Sequence, residues 1–282
     1  MAKYLDPKAD LTFKKVFGEY EDLTKSFLNA LLPLDKDNKI KTIKYLPSEL
    51  VPETPFLKNS IVDVRCTDQD GRQFIVEMQM IWSDEFKQRV LFNASKAYVR
   101  QLGKSKQYEL LQPVYSLNLV NEIFEPNSDN CYYNYHLVCD EDTNLVIDGL
   151  HLTFVELPKF KPESFADKKM MALWLRFLTE IDEQTLEVAP ELIADENIKQ
   201  ALELVEQSAF TDAQLEAYDR FWDAVRVENA IVAEGERRRK KIMEEGRAEE
   251  RLSIAKTLKQ MGMSVADIIK ATGLSVEQIN SL

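Results

Sequence analysis

Two acids on adjacent apolar runs, Asp63 and Glu77, are the side chains of this sequence best placed to do chemistry. They lie in residues 61–66 and 74–80, where apolar and polar residues alternate. The connector Asp68-Gln69-Asp70-Gly71-Arg72 contains the Asp-Gly pair of a β-hairpin. Side chains alternate between faces along a strand. Val62, Val64 and Cys66 therefore share one face of the first run, and Phe74, Val76, Met78 and Met80 one face of the second. If both apolar faces meet one core, Asp63, Glu77 and Gln79 come together on the other. That pairing needs an even register sum, with Asp63 opposite Glu77 and a loop of three or five residues. Opposed Cβ atoms would then lie about 4.5–5.5 Å apart.

Two carboxylates at that distance repel unless a positive charge stands between them. Arg65 is one candidate and a divalent cation is the other. Mg²⁺ takes hard oxygen ligands, usually one or two carboxylates with waters and substrate phosphate; Mn²⁺ or Ca²⁺ would be alternatives. Such an ion lowers the pKa of a bound water and stabilises charge developing on a phosphodiester. Gln79 would stand beside it, where an amide positions water or a phosphate oxygen. The same acids would also suit a solvated hairpin face, and spacing alone does not separate the two readings. Other chemistries are poorly supplied. His136 and His151 are the only histidines, and His151, in a strand-like run, reads as structural. Cys66, Cys131 and Cys139 are widely spaced, with no Cys-x-x-Cys pair, which fits a reducing cytoplasm rather than a disulfide framework or a thiolate metal site.

These acids need a packed scaffold, and the 282 residues, 45% hydrophobic and 30% charged, are enough to build one. No run approaches 18 apolar residues, so no membrane helix is expected, and the first 15 residues lack the apolar stretch of a secretory leader. Residues 6–32 read as helical, with Asp10 as N-cap and Pro33 ending the pattern. Residues 33–58 are loop-like, with Pro47, Pro52 and Pro55 and a short strand near 40–46. After the hairpin, Ser83 caps a helix over 84–102 that Gly103 closes. Residues 113–124 form an apolar central strand, with further strands at 132–138 and 150–157. This order predicts a mixed α/β domain over residues 1–160. Residues 161–228 read as an acidic helical region. Residues 229–282 read as a long charged helix followed by a small helix-turn-helix-like tail. In that tail Ser264 caps one helix, Gly273 closes it, and Ser275 with Gln278 opens the next.

The net charge of −12 argues against a nucleic-acid partner only until its distribution is read. Residues 180–220 hold twelve acids against Lys199 and Arg220, whereas residues 235–260 hold nine Lys and Arg against five Glu. The acidity is therefore regional, and both runs also suit solvated helix faces. Arg89, Lys96 and Arg100 are spaced seven and four apart on the helix after the hairpin, roughly one face, which could meet a DNA backbone or simply solvate the helix.

The Asp63…Glu77-Met78-Gln79 arrangement on a hairpin, followed by a helix and an apolar strand, resembles the PD-(D/E)XK nuclease superfamily. The finer resemblance is to the bacterial Rpn (recombination-promoting nuclease) and transposase family. It is carried by Asp6-Pro7-Lys8-Ala9-Asp10-Leu11-Thr12-Phe13-Lys14-Lys15-Val16-Phe17-Gly18, by Ile61-Val62-Asp63-Val64 and Phe74-Ile75-Val76-Glu77-Met78-Gln79, by Arg89 and Tyr98 leading to Tyr108-Glu109-Leu110-Leu111-Gln112-Pro113-Val114, and by residues 150–160. The resemblance implies an α/β fold with a restriction-endonuclease-like mixed-sheet core and a C-terminal helical extension. It also implies a metal-dependent DNA endonuclease of low sequence specificity, acting in recombination or on mobile elements. Asp63 and Glu77 would hold the metal. Asp10, with Glu49 as the alternative, would supply the further acid of an N-terminal element. Apart from the resemblance, Lys14 and Lys15 near Asp10 could face phosphate or simply be surface charges of the helix. Two departures stand out: Val62 replaces the superfamily's proline, and Gln79 occupies its lysine position. Glutamine brings hydrogen bonds but no charge. An alternative function is therefore a catalytically degenerate DNA-associated assembly protein of mobile elements. The second helix of the terminal motif offers Glu277, Gln278 and Asn280 but no Lys or Arg, so the C-terminal helices suit homo-oligomerisation better than base reading.

Overall fold

The hairpin supplies the second and third strands of a six-stranded mixed sheet. The computed structural model describes residues 2–50, 60–102, 107–165 and 168–282; the expected closure at Gly103 and the loop positions Pro52 and Pro55 lie outside them. Eight strands follow in order: β1 (Ile43–Tyr45), β2 (Glu49–Leu50), β3 (Ser60–Ile61), β4 (Val64–Asp68), β5 (Gln73–Gln79), β6 (Val114–Val120), β7 (Tyr132–Val138) and β8 (Val146–Glu156). The sheet order is β1-β4-β5-β6-β8-β7, while β2 and β3 pair separately. β5, β6 and β8 run parallel, and the outer pairs are antiparallel.

Val64 pairs with Val76 and Cys66 with Phe74, the even register expected of these two runs. Asp68 N–H donates to the Arg72 carbonyl at 3.1 Å, which leaves Gln69-Asp70-Gly71 as the loop. Gly71 has φ 83°, a left-handed conformation that glycine adopts without steric penalty. The Asp68 carboxylate accepts the Asp70 and Arg72 N–H groups and pairs with the Arg72 guanidinium, fixing the turn from within.

The helices are α1 (Asp10–Glu19), α2 (Glu21–Leu31), α3 (Phe86–Val99), α4 (Lys169–Glu180), α5 (Pro190–Ile193), α6 (Glu196–Val205), α7 (Asp212–Gln260), α8 (Val265–Thr272) and α9 (Val276–Asn280). Val64, Cys66, Phe74, Val76, Leu117 and Leu119 share a core with Phe13, Phe17, Phe27, Trp174, Phe177 and Leu202, so α1, α2, α4 and α6 cover this face. The acidic region thus shares the core of the sheet. Its expected continuous helicity is interrupted between α4 and α5 and again before α7. The stretch 6–32 also divides, at Tyr20 (φ −115°, ψ 98°), where the Thr24 hydroxyl takes the Phe17 carbonyl and ends α1.

The opposite face is not a solvated one, as the hairpin pattern alone allowed. Ile75, Val62, Ala94, Ala97, Val114 and Leu50 form a second cluster under α3. Val62, expected beside Val64, joins this cluster instead because the run breaks: β3 pairs with β2, and β4 starts only at Val64. Ser83 contributes its carbonyl, not its hydroxyl, to the start of α3.

Two compact units are present, Met1–Val225 and Arg226–Leu282. The second has its own small core of Ala255, Ile268, Leu274 and Ile279. Its helices end as the sequence indicated: Ser264 caps α8, Gly273 closes it at φ 66°, and Ser275 with Gln278 forms a capping box on α9. Among the described residues no helix is long and apolar enough to cross a membrane.

Candidate active site

The carboxyl end of β5 and the first turns of α3 enclose a cleft of about 790 Å³ lined by Asp63, Glu77, Gln79, Phe86, Arg89 and Asn93, among others. β5 brings Glu77 and Gln79 to it because they are two residues apart and so on one face. α3 is pinned over that face by Phe86, Val90, Ala94 and Ala97, a stripe at helical spacing that packs on Ile75, Val120 and Phe154. Arg89 and Asn93, one turn apart, then point to the acids.

Asp63 sits in the gap between β3 and β4. Its Oδ2 accepts the Met78 N–H at 2.8 Å, so a side-chain acceptor stands where the backbone ladder ends. Its Oδ1 lies 3.9 Å from Lys14 Nζ, and Lys14 pairs with Asp10 at 2.5 Å. Asp10 is the first residue of α1, whose N-cap is Ala9, so its carboxylate is not spent on capping as the sequence suggested. Glu49, the alternative acid, is exposed on β2 opposite Ile61. Arg65, one of the two candidates for a positive charge between the acids, instead donates to Gln73 Oε1 and the Pro47 carbonyl. Among the described residues, the cations that face the two acids are Lys14 and Arg89.

Glu77 is almost fully buried. Asn93 Nδ2 donates to its Oε1 at 3.0 Å, and Arg89 stands 3.7 Å from its Oε2. Burial raises the pKa of both Asp63 and Glu77 above the ordinary carboxylate range. The Met78 N–H and Lys14 oppose the shift at Asp63, and Asn93 and Arg89 oppose it at Glu77. Each acid also raises a neighbour's cost of ionising: Asp10 acts on Asp63, and Asp63 on Glu77.

Among the described residues no group of three or more His, Cys, Asp or Glu side chains could hold a metal between them. A cation here would therefore rest on Asp63 and Glu77 with waters and phosphate oxygens, the sparse protein ligation that suits Mg²⁺. The donor chemistry fits: hard oxygens, close in register, with raised pKa values that a cation would reverse. Asn93 Oδ1, buried and without a hydrogen-bond partner among the described residues, adds an acceptor beside Glu77. Sequence reasoning missed Asn93. A polar amide one turn from Arg89 and next to the apolar stripe of α3 was the available signal. Lys96, on the far half of α3, and Arg100, its C-cap, were grouped with Arg89 by spacing but do not line the cleft; Arg100 lies near Arg65 and Lys96 instead. His151 stacks on Tyr115 at 4.4 Å and bonds Asp148, away from the acids.

The sequence profile of PD-(D/E)XK nuclease family transposases matches residues 7–234, and the chain belongs to that family. No curated protein and no solved structure matches it.

Proposed function

We propose that this PD-(D/E)XK family member hydrolyses phosphodiester bonds of DNA, with little sequence preference, using a divalent cation held by Asp63 and Glu77. The observation that carries the reading is the meeting of these two acids in one cleft, Glu77 from β5 and Asp63 from the residue just before β4. The cation, with Mg²⁺ the first choice, would supply a water of lowered pKa and charge stabilisation at the phosphate. The protein's part is positioning. Asn93 holds one oxygen of Glu77, the Met78 N–H holds one oxygen of Asp63, and the other oxygens face Arg89 and Lys14 respectively. Asp10, paired with Lys14, adds negative charge at the rim. Lys96 and Arg100 would extend the contact to backbone phosphates along α3. Free thiols at Cys66, Cys131 and Cys139 suit a reducing cytoplasm. Exposed Val227, Ile231, Ile242 and Met243 on α7 suit self-association through the C-terminal helices.

A second reading, a DNA-associated assembly protein without cleavage, is favoured by one observation: neutral Gln79 where the superfamily has lysine. Supercoiled plasmid incubated with wild type, Asp63→Asn and Glu77→Gln in Mg²⁺, Mn²⁺, Ca²⁺ or EDTA decides between them. Nicking by wild type alone, abolished by EDTA, is the expected result. Folded wild type that cuts in none of the metals, yet binds DNA in EDTA with strong salt dependence, moves the function to assembly.

A further inference from the structure

Gln79 makes two hydrogen bonds that together fix its orientation. Nε2 donates to the Ile81 carbonyl at 2.5 Å, and Oε1 accepts from Arg89 Nη2 at 2.5 Å. A carbonyl partner needs the amide NH₂ and a guanidinium partner needs the amide oxygen, so only one flip of the amide satisfies both. The Arg89 guanidinium is further seated over the Phe86 ring, 4.7 Å from its centroid, and the ring is itself buried. It stands 3.7 Å from Glu77 Oε2, while Asn93 occupies Glu77 Oε1. Three neighbours thus hold a permanent positive charge at the mouth of the acid pair, and 48% of the Arg89 side chain remains exposed to the cleft. Arginine keeps its charge at any working pH and presents five N–H donors in a fork that matches phosphate.

We infer that Arg89 is the phosphate-contacting cation of this cleft, supplied from α3 rather than from the hairpin, and that Gln79 is the positioning residue that aims it. The inference rests on the phosphodiesterase reading. Arg89 donates hydrogen bonds to a non-bridging oxygen of the scissile phosphate and stabilises the charge that grows there; it gives up no proton. Because it also lies beside Glu77, it repels a metal ion at that carboxylate, so its removal should affect cleavage and metal binding in opposite directions.

The test compares wild type, Arg89→Ala, Arg89→Lys, Gln79→Ala and the double variant Arg89→Ala/Gln79→Lys. Three readouts are taken: plasmid cleavage in Mg²⁺, Mn²⁺ affinity by calorimetry, and binding of a duplex oligonucleotide in Ca²⁺ across a salt series. Arg89→Ala should cut about 100-fold more slowly, as expected for loss of one charge-stabilising donor, while binding Mn²⁺ at least as tightly as wild type. Arg89→Lys should fall between the two, because a point charge replaces a fork. Gln79→Ala should lower the maximal rate more than it raises the KM. The double variant, with the charge returned on the β5 stem, should recover roughly tenfold over Arg89→Ala, against the ~100-fold loss. An Arg89→Ala protein that cuts within threefold of wild type, or that loses Mn²⁺ together with cleavage, overturns the inference, as does a double variant no faster than Arg89→Ala. If wild type itself cuts nothing, the hydrolytic reading fails and oligonucleotide binding judges Arg89 alone. A log–log salt slope shallower by about 0.9 in Arg89→Ala sustains the phosphate contact, and an unchanged slope and affinity overturn it.

Discussion

Asp63 and Glu77 each face protein on one side and a cation on the other, Lys14 at 3.9 Å and Arg89 at 3.7 Å. Burial outweighs those cations, so both folded-state pKa values lie above the ordinary ones. The sign of the stability effect follows. An acid that holds its proton more tightly in the native state favours folding at low pH, and that advantage disappears as pH rises from the ordinary carboxylate value through the raised one. Ionising the pair therefore destabilises the metal-free fold. Glu77→Gln, which removes the ionisable group, should raise the melting temperature in EDTA at pH values above the raised one. The gain should vanish when melts are repeated below the ordinary carboxylate range. The same shifts couple protons to metal. Mn²⁺ binding should release protons and weaken as pH falls through the raised values, which calorimetry in buffers of different ionisation enthalpy reads directly.

At the scale of elements, the loop Gln69-Asp70-Gly71 sets which side chains oppose each other across β4 and β5. Gly71 has φ 83°, and a Cβ there would meet nothing closer than Gln112 Cγ at 3.6 Å, so space is not the constraint. Backbone conformation is. Gly71→Ala should cost about 1–2 kcal/mol in chemical denaturation while leaving the cleft residues in place. This hairpin was legible because its information is local: a period of two on each run and an Asp-Gly turn between them fix the parity that opposes Asp63 to Glu77. The helix over the acids was not legible to the same depth. Its existence was read between Ser83 and Gly103, but that it covers Ile75 and buries Glu77 is set by packing between distant segments. Arg89 was picked out by residue type and grouped with Lys96 and Arg100 by periodicity alone, whereas the structure gives Arg89 to the cleft and the other two to a different neighbourhood. The break at Tyr20 was hidden because the apolar spacing of α1 runs on into α2, and the Thr24 hydroxyl that ends α1 is a contact of |i−j| = 7.

At the scale of the whole molecule, every residue lining the cleft belongs to the unit Met1–Val225, which has its own core. The second unit rests on a few apolar side chains, Ala255, Ile268, Leu274 and Ile279. A chain ending at Val225 keeps Tyr218, Phe221 and Trp222, which pack with Leu5 and Phe210, and should fold on its own. Its melting temperature should lie within a few degrees of the full chain, and any plasmid cleavage should persist within a fewfold; a molten fragment by near-ultraviolet circular dichroism would contradict this. Ile268→Ala, which empties part of so small a core, should cost about 2–4 kcal/mol and unfold the terminal motif in the full chain.

Asp63 also serves the fold apart from any metal, since its Oδ2 closes the Met78 N–H where β4 has run out of backbone. A buried N–H left without an acceptor costs about 1–3 kcal/mol. If the proposed function holds, two selective pressures converge on this position and relax separately. A lineage that abandoned catalysis would still need an oxygen at residue 63, and aspartate would persist there long after nuclease activity had gone. Glu77 has no backbone duty among the described contacts, so its replacement is the earlier mark of a lost activity.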